Sequence, residues 1–322
     1  MFSHYREKTL RKLLLIILLA ACASSSSRAA LKDFQGVEVF KLRGGGDLGL
    51  SGLAWCDNRL YAISDKTNVI YRIDWKENEA SVVPFKELPA IPERQIEYSG
   101  LARIINRIAG KGFDWEDVAC VDERFYLLSE RKNAVLEVAG DKARWLPLGW
   151  YAAMHRQGYL NRYNAMVEGL ARIDDDHWLV AMEREPRGLI FLTRREGTRW
   201  RATAFALGNE QDLKFRADNP DVSALAIWNG ALYTLERNAQ AVCRRDLAHF
   251  RALSCYSYAA QENHPRYRYA DDRYGMAEGL AIDSRWIYIV FDNNDSSFAI
   301  DPLDRRALLL RIPIPAPWRD AF

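Results

Sequence analysis

The sequence predicts an all-β protein: a β-propeller of about five four-stranded blades, six being the alternative, closed by an N-terminal strand. Three observations carry this prediction. A short element recurs, as SGLAW from Ser51, EDVAC from Glu116, EGLAR from Glu168, SALAI from Ser223 and EGLAI from Glu278. Ten residues after each start stands an aromatic: Tyr61, Tyr126, Trp178, Tyr233 and Tyr288. Three to five residues further comes a carboxylate: Asp65, Glu130, Glu183, Glu236 and Asp292. A shared register at a period near 55 residues is the signature of stacked supersecondary units.

Each unit reads as four short strands separated by polar turns. The third unit is EGLARID, HWLVAME, GLIFLTR and RWRATAFAL; the first is SGLAWC, RLYAISD, NVIYRID and ASVVPF. Several of these strands are apolar on both faces. That suits a sheet packed between two like neighbours and leaves a pair of β-sandwiches as the weaker alternative. The strand VEVFKL, Val37 to Leu42, is left over and is expected to pair near RRALLLRIPI in the final unit. YSGLARI at Tyr98 resembles a sixth start, but no aromatic-then-acid strand follows it. It is read as an insertion with a short helix, or as an irregular sixth blade within 87–114.

The 322 residues carry a formal charge of +2, and the basic N-terminus supplies the excess. The remaining near-neutral body gives no electrostatic reason to expect a nucleic-acid partner. Residues 1–21 run from a basic start into LLLIILLAA, too short to span a bilayer and typical of a signal segment. Leu19-Ala20-Ala21-Cys22 resembles a bacterial lipobox, which implies acylation at Cys22 and attachment to the cell envelope. An ordinary signal peptide with an incidental cysteine is the alternative. No Asp follows Cys22, which favours the outer membrane facing the periplasm. Residues 22–35 are expected to be a flexible tether and 36–318 a single propeller domain.

Four cysteines remain. Cys243 and Cys255 are symmetric about a proposed turn at residue 249, so an antiparallel hairpin sets them opposite each other. Export favours a disulfide between them. Cys56 and Cys120 stand one residue out of register in different blades and are expected to remain thiols.

In a blade, strand A starts and strand B ends at the same rim. The repeat therefore gathers its acids around one channel mouth. The candidates for a cation such as Ca²⁺ are Glu278, Asp292, Glu116, Glu130, Asp65 and Glu236, with Asp117 able to replace Glu116 as the pleat decides. Glu168, Glu183 and Arg184 are the catalytic candidates, the acids as cation ligand or base and the arginine for an anion. So many carboxylates at one mouth must bind a cation, pair with arginine, or share protons. Arg131, Arg184 and Arg237, each directly after an acid, make blade-latching ion pairs the structural alternative. Long connections at 87–114, 149–166, 207–220 and 258–276 open on the same face. Two of them are rich in His, Arg and Tyr, and His155, Arg162, His264 and Arg273 are candidates for a small anionic ligand or ester substrate. Met166 and Met276 read as packing residues. There is no GxSxG, HExxH, GxGxxG or P-loop, and RGGGD at Arg43 leads into no helix.

The phrases SGLAW…LYAISD, DWEDVAC…YLLSERKN and EGLARI…WLVAMERE resemble exported bacterial proteins of the phytase-like esterase group. They are also similar to the SdiA-regulated propeller proteins. The resemblance covers nearly all of 45–315 and implies a propeller, phosphoesterase chemistry and Ca²⁺. The clustered Lys/Arg and Asp constellation of calcium phytases is not recognisable, so no catalytic residue is carried over. A non-catalytic ligand-binding or envelope-scaffold lipoprotein is the rival reading.

Overall fold

The A–B hairpins show how locally the chain is instructed. Cys56 pairs with Arg59, Val121 with Arg124 and Trp228 with Ala231, leaving two-residue turns at Asp57-Asn58, Asp122-Glu123 and Asn229-Gly230. All six turn residues have positive φ, from 48° to 68°. That is the geometry whose twist matches a tight hairpin, and it favours Asn, Asp and Gly. The computed structural model describes residues 31–93, 112–161 and 166–320, apart from 185, 196, 198, 210 and 272.

Two short strands, β1 (Lys32–Asp33) and β2 (Glu38–Lys41), precede the repeats. Blade one is β3 (Leu50–Cys56), β4 (Arg59–Ser64), β5 (Val69–Lys76) and β6 (Glu79–Glu87). Blade two is β7 (Trp115–Val121), β8 (Arg124–Ser129), β9 (Ala134–Ala139) and β10 (Lys142–Trp145). After helix α1 (Tyr151–Arg156), blade three is β11 (Val167–Arg172), β12 (His177–Met182), β13 (Gly188–Arg194) and β14 (Trp200–Ala206). Blade four is β15 (Ala224–Trp228), β16 (Ala231–Glu236), β17 (Ala241–Arg245) and β18 (Ala252–Ser257). Helix α2 (Ala259–Glu262) leads to β19 (Ala277–Ile282), β20 (Trp286–Phe291) and β21 (Leu308–Pro313), and α3 (Ala316–Arg319) ends the described chain.

Blade five is completed by β2, antiparallel to β21 with Glu38 opposite Arg311 and Lys41 opposite Leu308. The left-over N-terminal strand thus closes the ring, as expected. The inner strands β3, β7, β11, β15 and β19 pack side by side, and β19 returns to β3. The ring therefore has five blades. The Tyr98 phrase and its expected helix lie outside the described residues, as do the signal segment, Cys22 and Arg162. The tether expected over 22–35 is corrected at its end. Lys32 and Asp33 pair in parallel with β18, and Phe34 is buried against Tyr256 and Trp318. An edge hydrogen-bond row and an aromatic pocket were both available there, and so the fold starts by Leu31.

The second strand of every blade is apolar on both faces and buried along nearly its whole length. An apolar cluster fills each of the five spaces between blades. The packing follows one rule. The third residue of one repeat meets the fourth residue of the preceding blade, as Leu53 meets Ala281, Leu170 meets Ala119 and Leu225 meets Ala171. Facing side chains come from opposite faces of two sheets, so they are offset by an odd number of residues.

That rule explains one correction. Cys56 and Cys120 form a disulfide, with Cα atoms 5.7 Å apart, joining blades one and two. Their one-residue offset is what lets them face each other across the interface, so the expectation of free thiols fails. Cys243 and Cys255 are directly opposed in the β17–β18 ladder and are also bonded, as expected.

Candidate functional site

The repeat starts sit on β-bulges. In blades one, two, three and five the A–B register shifts at Ser51, Glu116, Glu168 and Glu278. A bulge places two residues against one and re-aims a side chain. In these four blades it turns the repeat's first residue toward the channel mouth and leaves the next one at the axis; Ser223 of blade four, where no register shift occurs, is buried and donates to the Ala277 carbonyl instead. The residue after the start is Gly52, Asp117, Gly169, Ala224 or Gly279. The axis is crowded: a Cβ on Gly279 would lie 2.8 Å from the Leu53 nitrogen, and one on Gly52 would lie 2.6 Å from the Asp117 Cα.

Glu116 and Asp117 therefore do different work. Glu116 lines the mouth. Asp117 is fully buried at the axis, where it accepts hydrogen bonds from the backbone N–H groups of Val118 (2.8 Å) and Leu170 (2.7 Å). It satisfies inward-pointing donors that the crossing strands cannot pair among themselves.

The mouth is a cavity of about 540 Å³. Asp65, Glu116, Glu130, Glu168, Glu183, Arg184, Glu278 and Asp292 all line it, joined by Asp114, Arg237 and the loop residues Asp218, Asn219 and Tyr274. Of the sequence candidates for the mouth, Glu236 is the exception. It is fully buried away from the cavity, bound by Arg187 and by Arg245 at 2.7 Å. Ladder alignment shows why. The residue after the partner of the axis position is Ser64, Ser129, Met182 and Phe291 in four blades, followed by the acid. In blade four it is Glu236, followed by Arg237. Arg237 occupies the fifth acid position. Counting four residues from the aromatic, as in blades one, two and five, would have found it at Tyr233.

Arg237 organises half of the mouth. Its guanidinium bonds Asp221 (2.7 Å), Glu183 (2.7 Å) and Glu278 (2.5 Å) and lies 3.6 Å from Glu168. Arg184 adds a contact of 2.8 Å to Glu183. Glu168, Glu183, Asp221 and Glu278 are thus bound by arginine, whereas Asp292 of blade five accepts the Asn294 N–H at 3.1 Å. The two arginines still face four carboxylates, and Glu183 Oε2 is buried without a hydrogen-bond partner. Burial, then the Glu168 charge, raises the Glu183 pKa.

Blades one and two differ. Oxygens of Asp114, Glu116 and Glu130 lie within 4.8 Å of one another. Arg131 reaches Asp114 at 3.5 Å. Glu130 accepts the Met166 N–H at 2.7 Å, yet burial and the Glu168 charge push its pKa up to about 8. Burial and the charge of Asp292 raise Asp65 to about 7. Its Oδ1 is buried and without a hydrogen-bond partner. Glu116 is raised well above the ordinary value by burial and by Glu168. Burial raises the carboxyl pKa values on both sides of the mouth; what divides in space is arginine pairing on one side and a cation-sized cluster on the other.

Among the described loop candidates, His155, His264 and Arg273 do not line the cavity. His155 lies on α1, stacked on Tyr151. His264 accepts the Arg266 N–H at 3.2 Å and is exposed. Arg273 sits over the Tyr274 ring, 5.1 Å from its centre. Met166 and Met276 are buried in the interblade clusters, as expected.

The sequence matches a family described as phytase-like, with the esterase-like activity of phytase, over residues 48–295. The chain belongs to the phytase-like family. The match spans all five repeat starts. The further resemblance to SdiA-regulated proteins is not shown by this match. No curated protein matches the chain. Among solved structures, the phytase-like chain is similar to glutaminyl cyclase of Myxococcus xanthus, at 12% identity and TM-score 0.50, covering 85% of this chain and 94% of that one. It is also similar to the PQQ-bound aldose sugar dehydrogenase of Streptomyces coelicolor, at 13% identity and TM-score 0.43, covering 86% and 98%. Likeness at such identity shows the phytase-like chain's fold alone.

Proposed function

We propose that this protein is an envelope-anchored, cation-dependent ester hydrolase acting on a small anionic ester, with its site at the acidic mouth. The observation that carries the reading is the cluster of Asp114, Glu116 and Glu130 on an open cavity beside Asp65. Hard cations such as Ca²⁺ take about 6–8 oxygens from carboxylates, carbonyls and water. The donor set here is all oxygen, and the unpartnered Oδ1 of Asp65 gives it an acceptor with nothing else to bind. The residues fit such an ion. Bound there, Ca²⁺ would polarise an ester oxygen and lower the pKa of an attacking water.

The chain's own groups supply the remaining chemistry. With no cation beside it Glu130 is raised to about 8 and holds a proton near neutral pH; as a ligand it would be ionised, so cation binding would release that proton. Arg184, on the cavity wall, is placed to orient an anionic group. Arg237 fixes Glu183 and Glu278, which sets the shape of the far wall. Once ionised, the acids of the cation half would repel an anionic ester, so substrate binding as well as chemistry depends on the cation. The rival reading, a non-catalytic binding or scaffold lipoprotein, draws on the ion pairs of Arg237, which read equally well as a latch between blades.

The activity test is a screen of phosphate and carboxylate esters with Ca²⁺ and with EDTA. Turnover that needs Ca²⁺ and falls at least about a hundredfold in Glu130→Gln supports the proposal. Absence of turnover on every ester, with Ca²⁺ bound, leaves the binding protein. Anchoring is tested separately: Cys22→Ser should abolish incorporation of labelled fatty acid, and persistent labelling would refute it.

A further inference from the structure

A second cavity, of about 510 Å³, lies between blades two and three. Val121 and Arg172, which line it, are the last residues of β7 and β11, so it belongs to the disc face away from the acidic mouth. Its walls carry Arg124, Arg144, Arg172 and Arg194 with Tyr126 and Trp200. We propose that this cleft is a binding site for a small organic oxyanion of phosphate or carboxylate type.

The arginines come as two pairs. On the blade-two wall, the buried Glu137 holds the Arg144 Nε and, at 3.4 Å, the Arg124 guanidinium, with the Tyr126 hydroxyl at 3.5 Å. One carboxylate cannot occupy the ten N–H donors of two guanidiniums. Both side chains remain more than half exposed, at 68% and 56%. Glu137 therefore acts as an anchor that aims two cationic forks into the cleft. On the blade-three wall, Arg172 lies 5.9 Å from the Trp178 ring and Arg194 lies 5.2 Å from the Trp200 ring. A guanidinium beside an aromatic ring keeps N–H donors that can bind an oxyanion bidentately. The competing acids are Asp122, which also lines the cleft, Asp175 on Arg172 and Asp176 at 3.5 Å from Arg194. Asp175 and Asp176 are more than half exposed, but Arg172 is only 18% exposed, so it is the Arg194–Asp176 surface pair that is worth little and that a ligand oxyanion can displace. The size of the cleft suits a ligand of metabolite dimensions.

The test uses the full-length protein in EDTA, which removes any contribution from a cation at the mouth. Fructose 1,6-bisphosphate and citrate are titrated by calorimetry and by tryptophan fluorescence, with fructose as the neutral control. Saturable binding of at least one anion is expected, weakened about tenfold or more in Arg124→Ala/Arg144→Ala. Because that double change leaves Glu137 short of partners, Arg194→Ala is measured too and should weaken binding without lowering the melting temperature. The tighter probe identifies the phosphate or the carboxylate source. Glu116→Gln, at the mouth, should leave binding unchanged. Failure of both anions to saturate by about 10 mM, or wild-type affinity in the arginine variants, overturns the proposal. So does loss of binding in Glu116→Gln.

Discussion

At the scale of the residue, Arg237 decides how the mouth is shared. It takes the position that carries an acid in the other four blades and gathers Asp221, Glu183, Glu278 and Glu168 around one guanidinium. Removing one partner of a buried pair leaves uncompensated charge and costs roughly 3–5 kcal/mol. Arg237→Met should therefore lower stability by about that much in chemical denaturation at neutral pH, and a change within error would show that the acids are protonated without it. Asp65 and Glu130 behave oppositely, because their folded pKa values, about 7 and about 8, lie above the ordinary carboxylate range. The folded state then binds protons more tightly than the unfolded chain. Their contribution is complete in acid, declines as pH rises above about 4 and is gone above about 7 to 8, so in EDTA the melting temperature should fall between about pH 4 and pH 8. Ca²⁺ favours the ionised acids and should offset the fall. The acid positions themselves were legible in the repeat. Arg237 was not read as one of them because Glu236, one residue earlier, satisfied a loose spacing of three to five.

At the scale of the element, the bulge is the device that the sequence showed least clearly. A strict alternation would put only one of Glu116 and Asp117 toward the channel, whereas the bulge sends the first to the mouth and the second to the axis. The small residues at the other axis positions were visible in the repeat, but their reason, backbone approach at the axis, needs the ring. Gly52→Ala would drive a Cβ to within 2.6 Å of Asp117 Cα. Overpacking of this kind costs about 1–3 kcal/mol, and a wild-type midpoint in the variant would mean that the axis is looser than described. The disulfides give a matching contrast. Cys243–Cys255 was legible because a hairpin sets its own register. Cys56–Cys120 was not, because the odd offset between neighbouring blades follows only from their packing. Non-reducing peptide mapping should recover both bridges. Cys56→Ala should lose about 4 kcal/mol by the chain-entropy argument, less if the bridge is strained.

At the scale of the whole molecule, closure by β2 ties the start of the fold to its last blade, so an inner ring of parallel strands can hold acids from separate repeats at one mouth. This much followed from a period, an aromatic and an orphan strand. What did not follow was which half of the mouth is free for a cation, since that depends on where one guanidinium reaches. Of the acids first singled out for catalysis or the cation, Glu168, Glu183 and Glu278 lie on the arginine side, and the proposed cation site keeps Glu116 and Glu130 and adds Asp114. Calorimetric titration of Ca²⁺ into the wild type, Glu116→Gln/Glu130→Gln and Glu168→Gln/Glu278→Gln tests this most directly. The wild type should show one saturable site that is lost in the first variant and retained in the second. Absence of binding in the wild type, or binding that survives the first pair of changes and disappears with the second, would contradict the assignment.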